Sequence, residues 1–125
     1  MSLPPLLNLK DSSAYRDYYL KNYCNKRIFT FDGIPVKFFP EKFEHAFYRD
    51  SARGVHDKAN FNIDRAKRMD WIKAVLSDRK AELYLRQMSE STMRRIAIVP
   101  TSGYPYAVII HFDRLNSPVA KFWTA

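Results

Sequence analysis

The sequence predicts an α+β fold, with helices first and a curved antiparallel sheet after them. Three observations lead there. Apolar residues recur at helical spacing through the first two-thirds of the chain. The last third changes period, to the runs "RRIAIVP", "YPYAVIIHF" and "VAKFWTA", separated only by "TSG" and "RLNSP". Turns that short join antiparallel neighbours, and a meander of this kind buries one face against helices. The composition permits a real core: 46% of the 125 residues are hydrophobic, with nine Phe, eight Tyr and two Trp. One domain of this length hides roughly two-thirds of its unfolded surface.

Residues 1–12 contain Pro4 and Pro5 and several small polar residues, and read as an N-terminal arm before a single domain of residues 13–125. A helix is expected from Ser13 to Cys24, capped by Ser12 or Ser13. Its tyrosines Tyr15, Tyr18, Tyr19 and Tyr23 form a stripe that is either a packing face or a base-stacking platform. "KRIFTFDGIPVKFF" reads as a hairpin, because Asp32-Gly33 can adopt the positive φ of a tight turn. Pro40 stops the second strand and opens a helix of roughly Glu41 to Arg49. Residues 50–62 are polar and loop-like. An amphipathic helix follows near Asp64 to Leu76, and "RKAELYLRQM" is expected to add a shorter one.

Charge narrows the partners. Lys and Arg number 21 against 13 Asp and Glu, a net +8, with a pI near 9.7. Such a balance favours a polyanion, nucleic acid before anionic membrane. The longest uninterrupted apolar run, Tyr106–Ile110, is far too short to span a bilayer. The N-terminus lacks a basic region followed by a long apolar stretch, so no secretion signal is expected. The single cysteine, Cys24, fits a reducing cytoplasm and can form neither an internal disulfide nor a thiolate metal cluster. The last run reaches Ala125 without a polar tail, a pattern that leaves room for further chain. Three glycines are few for an extended phosphate loop. No Walker loop, GxSxG elbow or paired-carboxylate signature is present, and no HxxxH, HxH or CxxC spacing offers a metal site. No cofactor is expected, and a hydrolase of this composition acts most simply on a phosphodiester without metal.

At 100° per residue, Met69, Ile72, Val75 and Leu76 form the buried stripe of the second long helix. Arg65 lies at the angle of that stripe and Arg68 beside it. A guanidinium on the core side must find an anion or reach water. These arginines therefore either snorkel or pair across the domain, or they meet a phosphate in a cleft at the start of the helix. On the preceding helix Phe43, Ala46 and Phe47 share a face, with His45 nearly opposite. His45 is then a surface histidine or, if its face lines a cleft, an acid/base group tunable by Glu41, Lys42, Tyr48 and Arg49. His56, in a basic loop, reads as exposed, and His111, in an apolar strand, as edge or core filling.

"FEHAF", a basic loop, "FNIDRAKRMDWIKAVL", "RRIAIV…SGYPYAVIIHF" and a closing "AKFWTA" together resemble the phage-associated nuclease domains of the barnase–EndoU–colicin–RelE-like superfamily. The likeness in order and spacing runs from about Lys26 to Ala125. It implies helices packed on a curved four-stranded antiparallel sheet and metal-independent cleavage of RNA by a cytoplasmic toxin or prophage-encoded ribonuclease, with an immunity or antitoxin protein as a further partner. By position it implies His45 as the histidine of the first core helix, Arg65 and Arg68 as the arginines of the "RAxR" helix, and Thr124 as the threonine of the terminal "TA". In the mechanism expected from this, the RNA 2′-OH attacks the adjacent phosphorus with His45 as base or acid. Arg65 and Arg68 stabilise the phosphoryl charge, and Thr124 donates to a phosphate oxygen. Arg53, Lys58, Arg94, Arg95 and Lys121 hold the backbone, and Tyr104 stacks on a base. The alternative is a non-catalytic nucleic-acid-binding or partner-binding domain of a phage protein.

Overall fold

The computed structural model of the protein describes residues 3–48, 60–113 and 119–125. Asp11 opens the first helix, α1 (Ser12–Tyr19): its carboxylate accepts from the Ala14 N–H at 2.9 Å. The cap thus lies one residue before the expected serines, because an aspartate one position earlier satisfies the same orphan N–H groups. The winding continues from Leu20 to Cys24 in a wider, π-helical form. Tyr15, Tyr19 and Tyr23 are fully buried, so the tyrosine stripe is a packing face. Each hydroxyl still finds an acceptor: Tyr15 donates to Leu7 O (2.6 Å), Tyr19 to Phe39 O (2.8 Å) and Tyr23 to Met69 O (2.8 Å). Residues 3–11, expected as an arm, lie strapped against the body, with the Trp71 indole donating to Pro4 O at 2.7 Å and Leu7 N–H to Lys67 O at 2.8 Å.

The expected hairpin is present as β1 (Ile28–Phe29) and β2 (Pro35–Lys37), turning through Gly33 at φ 84°. That left-handed value is where glycine loses nothing. Next comes α2 (Lys42–Phe47), shorter than expected because Tyr48 is already extended and bridges to Phe61. The helix expected over 64–76 is two: α3 (Ile63–Lys67) and α4 (Trp71–Leu76), parted by a turn at Arg68–Asp70. Hydroxyls from α1 and its π-helical continuation meet the turn. Tyr23 takes the Met69 carbonyl, and the Asp70 carboxylate accepts from Tyr18 (2.8 and 2.9 Å) and Tyr23 (3.0 Å). Burial together with that carboxylate pushes the Tyr18 phenol up to about 12. The predicted stripe Met69, Ile72, Val75 and Leu76 is buried.

Strands β3 (Glu82–Gln87), β4 (Thr92–Val99), β5 (Tyr106–Asp113) and β6 (Ala120–Thr124) complete the sheet. The short helix expected in "RKAELYLRQM" is therefore wrong. Its "ELYLR" alternates with period two and extends the β4 ladder along its whole length. The four-stranded antiparallel sheet is corrected as well. The fold is α+β, but the sheet is six-stranded and mixed, in the order β1-β2-β6-β5-β4-β3. β3 to β6 form the antiparallel meander, and β2 joins β6 in parallel, Val36 opposite Ala120. The hairpin occupies an edge of β6 whose N–H and C=O groups would otherwise stand unpaired. β5 and β6 lose step between Ile109 and Ile110: Phe122 faces Ile110 and Thr124 faces Ile109, so Trp123 is the extra residue of a bulge.

Helices cover one face of the sheet, where Ala97, Val99, Val108, Ile110, Ala120 and Phe122 are buried. Arg95 belongs to this face. Its guanidinium holds Asp32 at the hairpin tip through two bonds, Nη1–Oδ1 3.0 Å and Nη2–Oδ2 2.7 Å. Hydrogen bonds from Arg95 hold the Asp32 carboxyl well below the usual carboxylate range. Asp32→Asn should lower stability by about 1 kcal/mol at neutral pH in urea unfolding, the smaller end for a charged hydrogen bond because Asp32 is partly solvated. With its folded pKa lowered, Asp32 contributes fully above its unfolded value of about 3.9, and the contribution is lost as pH falls through the folded value. Wild type and variant should therefore converge in acid. Equal stability at pH 7 would contradict this role for the pair.

Candidate functional site

The second face of the sheet is where the charge collects. Residues directly opposite on adjacent strands project to the same side. Arg86 faces Arg94, Arg94 faces His111, His111 faces Lys121, and Lys121 faces Lys37. Basic residues of β3, β4, β5, β6 and β2 thus form a single row perpendicular to the strands, stepping about 4.8 Å at a time. Like charges in register cost free energy. Among the described residues the ion pairs are Arg16–Glu44 and Arg95–Asp32, and neither draws on the row.

α2 closes one flank of this face. Phe43, Ala46 and Phe47 bury into the core, which leaves Lys42 and His45 on the opposite side of the helix. There they meet Trp123, which the bulge in β6 carries out of the ladder. The His111 ring stacks on the Trp123 indole at 4.4 Å and 21°, the His45 ring approaches it edge-on at 4.8 Å and 64°, and Lys42 Nζ lies 3.7 Å from the indole centroid. Beside this cluster opens a cavity of about 410 Å³ lined by Phe39, Glu41, Lys42, Thr92, His111, Lys121 and Trp123. Two imidazoles and Lys42 therefore contact one indole, with Lys121 lining the same cavity and Arg94 bound to His111.

The protonation state of His111 follows from its partner. Arg94 Nε–H donates to His111 Nε2 at 2.9 Å. An arginine cannot accept, so Nε2 carries the lone pair and a neutral His111 holds its proton on Nδ1. Burial lowers the His111 pKa first, and the positive charges of Arg94, Lys42 and His45 lower it further. Both effects favour the neutral ring, whose Nε2 lone pair is held by Arg94.

Arg65 and Arg68 come together, but in a neighbouring cavity. About 610 Å³ in size, it is bounded by both arginines, Trp71, the Thr101–Pro105 turn, Tyr106 and Ala125. Arg65 Nη1 donates to Ala46 O (3.3 Å), and Arg68 Nη1 to Asp64 O (2.6 Å) with its guanidinium 5.4 Å from the Trp71 ring. The guanidiniums thus rest on carbonyls and an indole and line this cavity. Tyr104, 94% exposed, stands at the rim. Burial raises the Tyr106 phenol, against the pull of Arg68 and Arg65. Trp123 of β6 lines the first cavity, and Ala125, two residues further on, lines the second.

Comparison with protein-family models, curated proteins and solved structures finds no match to this chain.

The expected residues sort as follows. His45, Arg94 and Lys121 meet at the Trp123 cluster, while Arg65, Arg68 and Tyr104 share the second cavity. Thr124 sits beside Trp123, opposite Ile109. Arg95 faces the other way and is committed to Asp32, so it is not brought to this surface. Arg53 and Lys58, like Arg49 and His56, lie outside the described residues. Among the described residues no group of three or more His, Cys, Asp or Glu is arranged to hold a metal ion, and no helix is long and apolar enough to cross a membrane. Sequence reasoning named Lys42 only as a neighbour of His45, read His111 as edge or core filling, and missed Trp123 and Lys37. The signal for His111 was its polarity within "AVIIHF", one face away from the buried Val108 and Ile110.

NMR titration of the imidazoles should find His111 below the ordinary histidine value of about 6.5. Arg94→Ala should raise it, since the variant removes both a nearby cation and the donor that occupies the Nε2 lone pair. An unchanged His111 titration in that variant would contradict the Arg94–His111 bond.

Proposed function

We propose that the protein is a metal-independent endoribonuclease of toxin or prophage type, acting through His45 and His111 beside Trp123. The observation that carries the reading is the cationic row across the open face, because it places two imidazoles inside a track of the charge sign and spacing suited to a phosphate backbone. Either imidazole alone would be a surface histidine. Two of them in ring contact with one indole can serve as base and acid to a single phosphodiester. The ordered motifs that resemble the barnase–EndoU–colicin–RelE-like nucleases point the same way.

In this reading the backbone lies along the row, and Arg94 turns from His111 to a phosphate oxygen. That movement releases Nε2, which takes the proton of the 2′-OH as the 2′-oxygen attacks phosphorus. His45 gives a proton to the departing 5′-oxygen. The products are a 2′,3′-cyclic phosphate and a 5′-hydroxyl, so the two histidines exchange protonation states and no water is consumed. Lys42, Lys121 and Arg94 stabilise the charge gathering on the phosphoryl oxygens. Arg65 and Arg68 hold the phosphate of an adjoining nucleotide in the second cavity, with Tyr104 available to stack on its base. Thr124, beside Trp123, donates to a bridging phosphate in this reading.

The competing reading is a nucleic-acid-binding domain without catalysis, which the same row supports by itself. Cleavage of end-labelled RNA in excess chelator separates the two. The enzyme reading expects cleavage that His45→Ala and His111→Ala each reduce by about 10²- to 10⁴-fold, with folding intact. It also expects single-stranded RNA binding to weaken with salt, the slope flattening by about 0.7 for Lys121→Ala. Salt-sensitive binding with no cleavage by folded wild type would establish the binding reading instead.

A further inference from the structure

The two edges of the sheet are built differently. β1 is two residues long and follows Lys26 and Arg27, a blunt, charged edge. β3 is six residues long, without proline, lysine or a break in its register with β4. Natural sheets do not leave such an edge open without reason. Every residue of β3 is exposed, including Leu83 (40%), Tyr84 (53%) and Leu85 (62%). Leu83 and Leu85 lie on the helix-covered side of the sheet, opposite Ala97 and Arg95. α4 packs on β4 and β5, and nothing in the described chain covers the two leucines.

The sequence of the strand is complementary to itself. Antiparallel pairing of "ELYLR" with a second copy, centred on Tyr84, sets Glu82 opposite Arg86 of the other copy, Leu83 opposite Leu85, and Tyr84 opposite Tyr84. Centring on Leu83, Leu85 or any point between residues loses both charge pairs, and centring on Glu82 or Arg86 sets like charges face to face. The backbone agrees with the Tyr84 register. Met88 N–H donates to Thr92 O at 2.8 Å. Bonded and non-bonded pairs alternate along an antiparallel ladder. Glu82, Tyr84 and Arg86 therefore turn their N–H and C=O groups to β4, and Leu83 and Leu85 turn theirs outward. In the Tyr84-centred register those outward groups bond reciprocally, Leu83 to Leu85 of the other copy. The arrangement also relieves Arg86, which faces Arg94 within its own chain and would gain a carboxylate across the seam.

We infer that this chain forms a two-fold dimer by antiparallel β3–β3 pairing centred on Tyr84, joining the two sheets into one. The interface is isologous, as a self-complementary strand requires. Its occupant is a second copy of this chain because the edge supplies both halves of each ion pair. The Lys37–Lys121–His111–Arg94 portion of the cationic row stays open on both copies.

Light scattering across a concentration series tests this on the full chain. Wild type should reach twice the 14.8 kDa monomer mass. Glu82→Arg and Arg86→Glu should each remain at the monomer mass, and the double variant Glu82→Arg/Arg86→Glu should return to the dimer. Both substituted positions are exposed, and circular dichroism checks that each of the three variants is folded. As an independent readout, hydrogen exchange at the Leu83 and Leu85 amides should slow as wild-type concentration rises. Wild type that stays monomeric throughout overturns the inference and assigns the edge to a strand from another protein. A dimer indifferent to both single reversals places the interface elsewhere. Failure of the double variant to recover overturns the Tyr84-centred register.

Discussion

The burial of Tyr19 is the contact on which the arrangement of this molecule depends. Its ring is fully excluded from solvent and lies 5.7 Å from Phe43, 6.0 Å from Tyr23, 6.2 Å from Phe38 and 6.3 Å from Phe47. Its hydroxyl donates to Phe39 O. One side chain thus ties α1 to α2 and to the end of β2. Phe38 in turn stacks on Phe122 at 4.7 Å, which fixes the same assembly to β6. Aromatic contacts of this kind add about 0.5–1.5 kcal/mol each beyond the area they bury. With Phe43 and Phe47 held inward, α2 has no freedom about its own axis, and Lys42 and His45 must face Trp123.

The site that results is an electrostatic anomaly within an otherwise ordinary fold. Lysine and arginine stand in register on neighbouring strands, and a neutral histidine sits among them. The molecule tolerates the row because its outer members are exposed and because His111 contributes no charge. A phosphate backbone laid over the row would convert the repulsion into binding energy, and it would raise the proton affinity of the imidazoles beneath it. Burial lowers the His111 pKa first, and the field that stores the repulsion lowers it further.

Local rules carried much of this to the surface of the sequence. Asp32-Gly33 announced the hairpin, the Met69–Ile72–Val75–Leu76 stripe announced a buried helix face, and the angular separation of His45 from Phe43 and Phe47 announced a second side to α2. Four features were hidden, for different reasons. "ELYLR" holds good helix formers, and only its pairing with β4 decides that the two-residue period prevails. The parallel contact of Val36 with Ala120 joins chain segments with no shared local pattern. The cationic row exists only in the register of the sheet, so nothing in the sequence lines up Lys37, Arg86, Arg94, His111 and Lys121 until five strands are aligned. The split of the 64–76 helix was hidden as well, since the hydroxyls that meet its turn, those of Tyr18 and Tyr23, come from a distant part of the chain.

The most direct measurement of the central claim uses an oligonucleotide that is DNA except for one internal ribonucleotide, incubated with the protein in chelator and read by mass spectrometry. Attack by a 2′-OH predicts a single cut, on the 3′ side of that ribose, leaving a 2′,3′-cyclic phosphate on one fragment and a 5′-hydroxyl on the other. Cuts at the deoxyribonucleotides, or an intact strand under conditions where the protein binds it, would contradict the account.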